Sequence, residues 1–81
     1  MTNAKIKRHV AALKELFPDS HIRPSEEFNG EGGGIWTGFG EDGVIEYWHD
    51  FVDENLQKYM DKHGLYVEPY DSATMMIYGC D

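Results

Sequence analysis

Carboxylates are the side chains through which this chain could do most of its chemistry. The first 24 residues hold five Lys or Arg side chains against two carboxylates, and the remaining residues hold two against thirteen, for a net charge of −8. Most of the surface should therefore repel nucleic acid and membranes and attract basic molecules. We expect a basic protein partner, with no direct binding to nucleic acid and none to membranes.

Part of this acidity follows one side of a predicted helix over residues 51–63. Val52, Leu56 and Tyr59 form its apolar face, and Asp50 is the expected N-cap. An acidic ridge on the opposite side consists of Asp50, Asp53, Glu54 and Asp61. Its carboxylates would lie about 5–6 Å apart, near the spacing of phosphates along one nucleic-acid strand. The ridge is thus a candidate nucleic-acid mimic, or else the ordinary solvated face of a helix.

A second candidate surface comes from alternation along four predicted strands, over residues 35–39, 44–49, 65–70 and 74–79. Because side chains alternate in a strand, an inward set of Leu65, Val67, Met75 and Ile77 sends their neighbours outward. The expected outward face carries Glu46, Trp48, Tyr66, Glu68, Met76 and Tyr78. Exposed patches of this aromatic and acidic kind mark interaction sites. Otherwise, residues 18–34 or a second copy of the chain would cover it.

Local signals set the order of the elements. The apolar stripe of a first helix spans residues 3–17, with Thr2 or Asn3 as its cap and Pro18 after its end. Residues 18–34 contain several Gly and Pro residues and are predicted to be a flexible loop. The expected fold is α+β, one domain over residues 1–81. Its order is α-β-β-α-β-β, with a four-stranded, mostly antiparallel sheet and two helices on one face. Residues 35–49 are the first predicted hairpin and residues 65–79 the second. Pro69 places the first strand of the second hairpin at a sheet edge, or else near its own end. The predicted core is Ile6, Val10, Leu13, Phe17, Ile35, Ile45, Val52, Leu56, Val67 and Ile77.

The sequence contains few residue patterns that would support catalysis or the binding of a cofactor. The four His residues are scattered, and the single cysteine, Cys80, allows neither a disulfide within the chain nor a zinc site built on a cysteine pair. The glycines at 30–34 follow carboxylates rather than a strand, which does not fit a phosphate-binding loop. We expect no cofactor, no metal and no enzymatic activity. A lone thiol also favours a reducing compartment, and hence the cytoplasm.

Two segments carry a resemblance to known proteins. The segments are GGGIWTGFGEDG and LYVEPYDSATMMIYG, which follow a short basic amphipathic helix. With the small size, acidity and aromatic content, they resemble small acidic phage accessory proteins of the anti-CRISPR and DNA-mimicking antirestriction kind. The resemblance implies a stoichiometric inhibitor that occupies a nucleic-acid-binding surface of its partner. It assigns no binding residue.

Two functions therefore stand as expectations. The first is a non-enzymatic protein-binding module that inhibits a basic, nucleic-acid-binding partner through the acidic ridge and the aromatic face. The alternative is a homodimeric structural or assembly protein that pairs through its open sheet face. A small ligand-binding or enzymatic domain is a third and weaker hypothesis.

Overall fold

A four-stranded antiparallel sheet packed against two long helices makes up most of the fold, which confirms the α+β prediction. The computed structural model describes residues 1–79 apart from the Tyr47 side chain, so Cys80 lies outside the described residues. The helices are α1 (Asn3–Leu16), α2 (Glu26–Asn29) and α3 (Glu54–His63). The strands are β1 (Ile22–Pro24), β2 (Ile35–Thr37), β3 (Ile45–Glu46), β4 (Phe51–Val52), β5 (Leu65–Pro69) and β6 (Met75–Gly79).

Helix α1 forms where the apolar stripe predicts it. The Thr2 side chain accepts the backbone N–H of Lys5 at 3.3 Å, which caps the start of the helix. The helix ends at Leu16, two residues before Pro18. Proline lacks an N–H and clashes with a preceding helical turn, so it keeps the helix from continuing.

Helix α3 begins later than predicted. The predicted start, with Asp50 as N-cap, is wrong because the chain at Phe51–Val52 forms strand β4. Asp53 is the cap instead, and its Oδ1 accepts the backbone N–H groups of Asn55 at 2.9 Å and Leu56 at 3.3 Å. The carboxylate of Asp53 is therefore committed to holding the helix start.

The second predicted hairpin is confirmed. Strands β5 and β6 pair antiparallel in the sheet order β1-β2-β6-β5, and β5, which contains Pro69, lies at the sheet edge as predicted. In the turn, Asp71 Oδ1 accepts the N–H groups of Ala73 at 2.9 Å and Thr74 at 2.7 Å. Asp71 thus replaces ladder hydrogen bonds that the backbone cannot make at the turn.

The first predicted hairpin is wrong. Strand β2 pairs with β1 and β6, whereas β3 pairs with β4 in a separate two-stranded sheet. In the centre of the larger sheet, Ile35 lies opposite Ile77, and the Thr37 hydroxyl donates to the Met75 carbonyl at 2.7 Å. Because it pairs with β1 on one side and with β6 on the other, β2 is an interior strand with no unpaired edge.

Both long helices pack on one face of the sheet, and that face forms the core. All ten residues of the predicted core belong to it: Ile6, Leu13, Ile35, Ile45, Leu56 and Ile77 are buried, and Val10, Phe17, Val52 and Val67 pack against them. Phe39 was not in the predicted core, but it is fully buried and its ring lies 5.3 Å from that of Phe17 between centroids. No described helix is long and apolar enough to cross a membrane.

The opposite face of the sheet is partly covered rather than open. Phe28 of α2 packs against Trp36 of β2 at 5.0 Å and against Tyr70 at 4.9 Å between ring centroids. Met76, predicted to face outward into solvent, is only 4% exposed. Residues 18–34 thus supply β1 to the sheet and place α2 over part of this face, which agrees in part with the alternative that the sequence left open. Their flexibility stays a prediction.

Candidate protein-binding surface

The β3–β4 hairpin presents two aromatic side chains to solvent. Ile45 pairs with Val52 and Glu46 with Phe51. Ile45 is buried, and its N–H bonds the Phe39 carbonyl at 3.1 Å, so one side of the hairpin is held by the core. Alternation then sends Glu46 and Phe51 to the other side.

A single turn of 3-10 helix over Tyr47–His49 connects the two strands and carries Trp48. The Trp48 side chain is 79% exposed and Phe51 is 47% exposed. Both line a groove of about 480 Å³ between the hairpin and the edge strand β5, where Val67 and Pro69 complete the apolar wall. Glu46 and Asp50 also line this groove and make it acidic. An exposed tryptophan next to an apolar groove is typical of a binding anchor.

Asp50 closes the turn in a strained backbone conformation. Its φ is +50°, and no other non-glycine residue among the described ones has a positive φ. Aspartate tolerates the left-handed region better than most residues, and such outliers are enriched at functional sites. The conformation brings the chain back from Trp48 into β4, so Asp50 helps to present the anchor as well as to supply charge.

The carboxylates of α3 are more occupied than the predicted ridge assumed. Asp53 is the helix cap, Glu54 pairs with Lys58 at 3.2 Å, and Asp61 accepts the side-chain amide of Gln57 at 2.9 Å. Exposed pairs of this kind are weak and are screened by salt. Glu54 and Asp61 therefore keep some steering charge, but Asp53 cannot be changed without disturbing the helix.

Tyr66, Glu68 and Tyr78 lie on the outward face of the larger sheet, as predicted. Tyr66 is 49% exposed, and its ring lies 6.1 Å from that of Tyr78. Tyr78 is half-buried against Gly34. Burial and the negative charges of Glu68 and Glu31 raise the pKa of the Tyr78 hydroxyl. This pair is a smaller aromatic surface than the sequence predicted.

The nine predicted partner-binding residues thus fall into three groups. Glu46, Trp48 and Asp50 share the hairpin; Asp53, Glu54 and Asp61 share α3; Tyr66, Glu68 and Tyr78 share the outward sheet face. The prediction that Glu46 and Trp48 share a face with Tyr66 and Tyr78 is wrong, since Glu46 lies in the two-stranded sheet and Trp48 in the 3-10 turn, both outside the larger sheet. Phe51 was missed because it was assigned to the helix. Phe51 lies five residues before Leu56 and off the apolar stripe of the predicted helix. This position could have indicated that Phe51 is not packed in the core as part of that helix.

The rings of His9, Tyr59 and His63 form a cluster that joins α1 to the C-terminal half of α3. His9 is 8% exposed, and its Nδ1 lies 2.6 Å from the Tyr59 hydroxyl. The His63 ring lies 5.1 Å from His9 and 4.4 Å from Tyr59 between centroids. Burial, followed by the charges of His63, Arg8 and Lys5, holds the pKa of His9 below its ordinary value of 6.5. Burial also raises the pKa of Tyr59, which Arg8 partly offsets.

The lowered pKa of His9 predicts a loss of stability in mild acid. Because the unfolded chain binds the proton more tightly, the contribution of His9 is complete above about pH 6.5 and is lost as the pH falls through the lower, folded-state pKa. We expect the melting temperature of the wild type to fall more steeply below pH 6.5 than that of His9→Gln, each referred to its own value at pH 7.5. The exposed His49→Gln is the control and should keep the wild-type slope. Equal slopes in all three proteins would contradict the assignment.

Among residues 1–79, no group of three or more His, Cys, Asp or Glu side chains is placed to hold a metal ion. Comparisons with protein-family models, with curated proteins and with solved structures found no match to this chain.

Proposed function

We propose that this chain is a non-enzymatic protein-binding module that docks its β3–β4 hairpin on a basic protein surface. The observation that carries the proposal is the exposure of Trp48 beside an apolar groove edged by Glu46 and Asp50. A basic surface that normally binds nucleic acid offers complementary charge to these carboxylates and to a chain of net charge −8. Occupying that surface would make the chain a stoichiometric inhibitor of its partner.

The carboxylates and the aromatic side chains are expected to affect different rate constants of binding. Carboxylates at the rim of an interface raise the rate of encounter and make it depend on salt. A tryptophan buried on binding slows dissociation, because tryptophan is enriched among the few residues that dominate interface energy. Trp48 and Phe51 supply the buried area, and Glu46 and Asp50, with Glu54 nearby in sequence, supply the steering.

The charge distribution favours a different protein over a second copy as the occupant of the hairpin. A twofold interface brings the same patch of both copies together. Such a contact would place Glu46 and Asp50 of one copy close to the same residues of the other, between chains of −8 each. The homodimer alternative, through the outward sheet face, has less surface to use, since Phe28 and Tyr70 pack over part of that face.

Replacing Trp48 with serine should speed dissociation from the captured partner by about 30-fold or more, because a hot-spot residue contributes about 2 kcal/mol or more. The partner is captured from lysate with the wild type, identified, purified and immobilised for surface kinetics. Tyr66→Ser is the matched control, an exposed aromatic on the outward sheet face, and should dissociate at the wild-type rate. If Tyr66→Ser speeds dissociation and Trp48→Ser does not, the sheet face is the working surface.

The same kinetics test the carboxylates. Glu46→Gln combined with Asp50→Asn should slow association at low salt and flatten its salt dependence, while asparagine keeps the left-handed conformation of residue 50 accessible. Glu15→Gln combined with Asp19→Asn removes the same charge from the region of α1 and should have a smaller effect. Equal effects of the two pairs would mean that only net charge matters. A solution mass of two chains for the free protein would favour the homodimer.

A further inference from the structure

A small basic cavity lies where the start of α1 meets the end of α3, at the edge of the sheet. Its volume is about 160 Å³, well above the ~10–15 Å³ that one water requires, so a ligand of several atoms fits. The cavity is lined by Met1, Lys5, Arg8, His9, His63, Leu65 and Gly79. No Asp or Glu is among these described lining residues.

A cavity lined by Lys5 and Arg8 is unusual in a chain whose net charge is −8. The electrostatic influences on His9 come from His63, Arg8 and Lys5, and all of them disfavour its protonation. Among the described residues, the titratable groups that act on His9 are thus cations or potential cations from α1 and α3, together with the Tyr59 hydroxyl. A bound anion would relieve the repulsion among them.

The hydrogen bond of His9 to Tyr59 engages only one of the two ring nitrogens. Nδ1 is engaged by the Tyr59 hydroxyl at 2.6 Å, which leaves Nε2 as the ring nitrogen available to a ligand. When Tyr59 donates to Nδ1, the proton of a neutral His9 lies on Nε2. The low exposure of His9 and its ring contact with His63 hold the ring in place.

We propose that this cavity binds one phosphate group through the Arg8 guanidinium and the imidazoles of His9 and His63. Arginine binds phosphate with two parallel N–H···O bonds, and each imidazole adds an N–H donor. Phosphate is favoured over a carboxylate because it offers acceptor oxygens in several directions, which suits donors that come from two helices. Both free phosphate and a phosphate ester carry this group. This site is separate from the β3–β4 hairpin, and its test does not depend on the function proposed for the hairpin.

The test is a titration of the full chain with inorganic phosphate at constant ionic strength, followed by the NMR signals of the histidine rings. We expect saturable shifts of the His9 and His63 signals and none for His21 and His49. Arg8→Gln should weaken binding by about tenfold or more, because a charge-assisted hydrogen bond is lost. Lys7→Gln removes the same charge from a neighbouring position on α1 that does not line the cavity, and should bind as the wild type does.

Three results would overturn the proposal. They are shifts that stay linear up to about 50 mM phosphate, equal responses of all four histidines, and equal affinities of the Arg8→Gln and Lys7→Gln variants. Arg8 is exposed, so its replacement should leave the fold intact, and unchanged His21 and His49 signals verify this. A parallel titration with adenosine monophosphate separates the two sources of the group. Tighter binding than inorganic phosphate indicates an ester, and equal or weaker binding indicates free phosphate.

Discussion

Replacing Leu56 with alanine is expected to lower the free energy of unfolding by about 2–5 kcal/mol. Leu56 is fully buried in the core, where α3 packs against the sheet. Truncation removes the transfer energy of the lost methyl groups and leaves a cavity that the surrounding residues fill only in part. Stability in a domain of 81 residues is about 4–12 kcal/mol, so this loss is a large fraction of the total.

Chemical denaturation with urea measures the effect, and Leu16→Ala is the matched control. Leu16 lies in α1 and is 44% exposed, so the same chemical change there should cost about 0.5 kcal/mol or less. An unfolding midpoint of Leu56→Ala that coincides with that of Leu16→Ala would contradict the packing of α3.

Replacing Gly40 with alanine is expected to cost about 1–3 kcal/mol or more, because the added methyl group has no room. A Cβ at this position would overlap the carbonyl oxygen of Ser72 and lie 2.9 Å from the carbonyl carbon of Ala73. Both are backbone atoms of the β5–β6 turn, which cannot move aside as a flexible side chain would. The neighbouring hydrogen bond from Glu41 N–H to the Ala73 carbonyl, at 3.0 Å, ties the two segments together.

Gly32→Ala is the control for this substitution. A Cβ at Gly32 would meet no atom within 4 Å, and its φ lies outside the left-handed region. Alanine there should leave stability unchanged or raise it slightly by restricting the unfolded chain. Equal melting temperatures for Gly40→Ala and Gly32→Ala would contradict the close approach of residue 40 to the β5–β6 turn.

The surface of the molecule divides its charge between two ends of α3. The acidic, aromatic hairpin precedes the helix, and the basic cavity lies at its far end beside α1. Seven Lys and Arg side chains oppose fifteen carboxylates in the chain, whereas the described residues that line this cavity include Lys5 and Arg8 and no carboxylate. Under the two proposals, one small domain would recognise two ligands of opposite charge at separate places.

Local signals in the sequence determined the two long helices, the β5–β6 hairpin and the core. The spacing of apolar residues in α1 and the proline at residue 69 are signals that involve only a few neighbouring residues, so they can be recognised before the fold is known. All ten predicted core residues lie in the core for the same reason. Alternation also placed Tyr66 and Tyr78 correctly on the outward sheet face, since period two holds along any regular strand.

The tertiary structure alone decided which strands pair and where the hairpin aromatics point. A strand propensity does not identify the partner strand. Strand β2 pairs with β6, about forty residues away, as an interior strand in which Ile35 and Thr37 are fully buried. Helix α2 has four residues, too few to show a helical period. Trp48 was expected on the sheet face, but the 3-10 turn interrupts the alternation and aims it elsewhere. The meeting of His9 with His63 depends on the packing of two helices, which no spacing along the chain encodes.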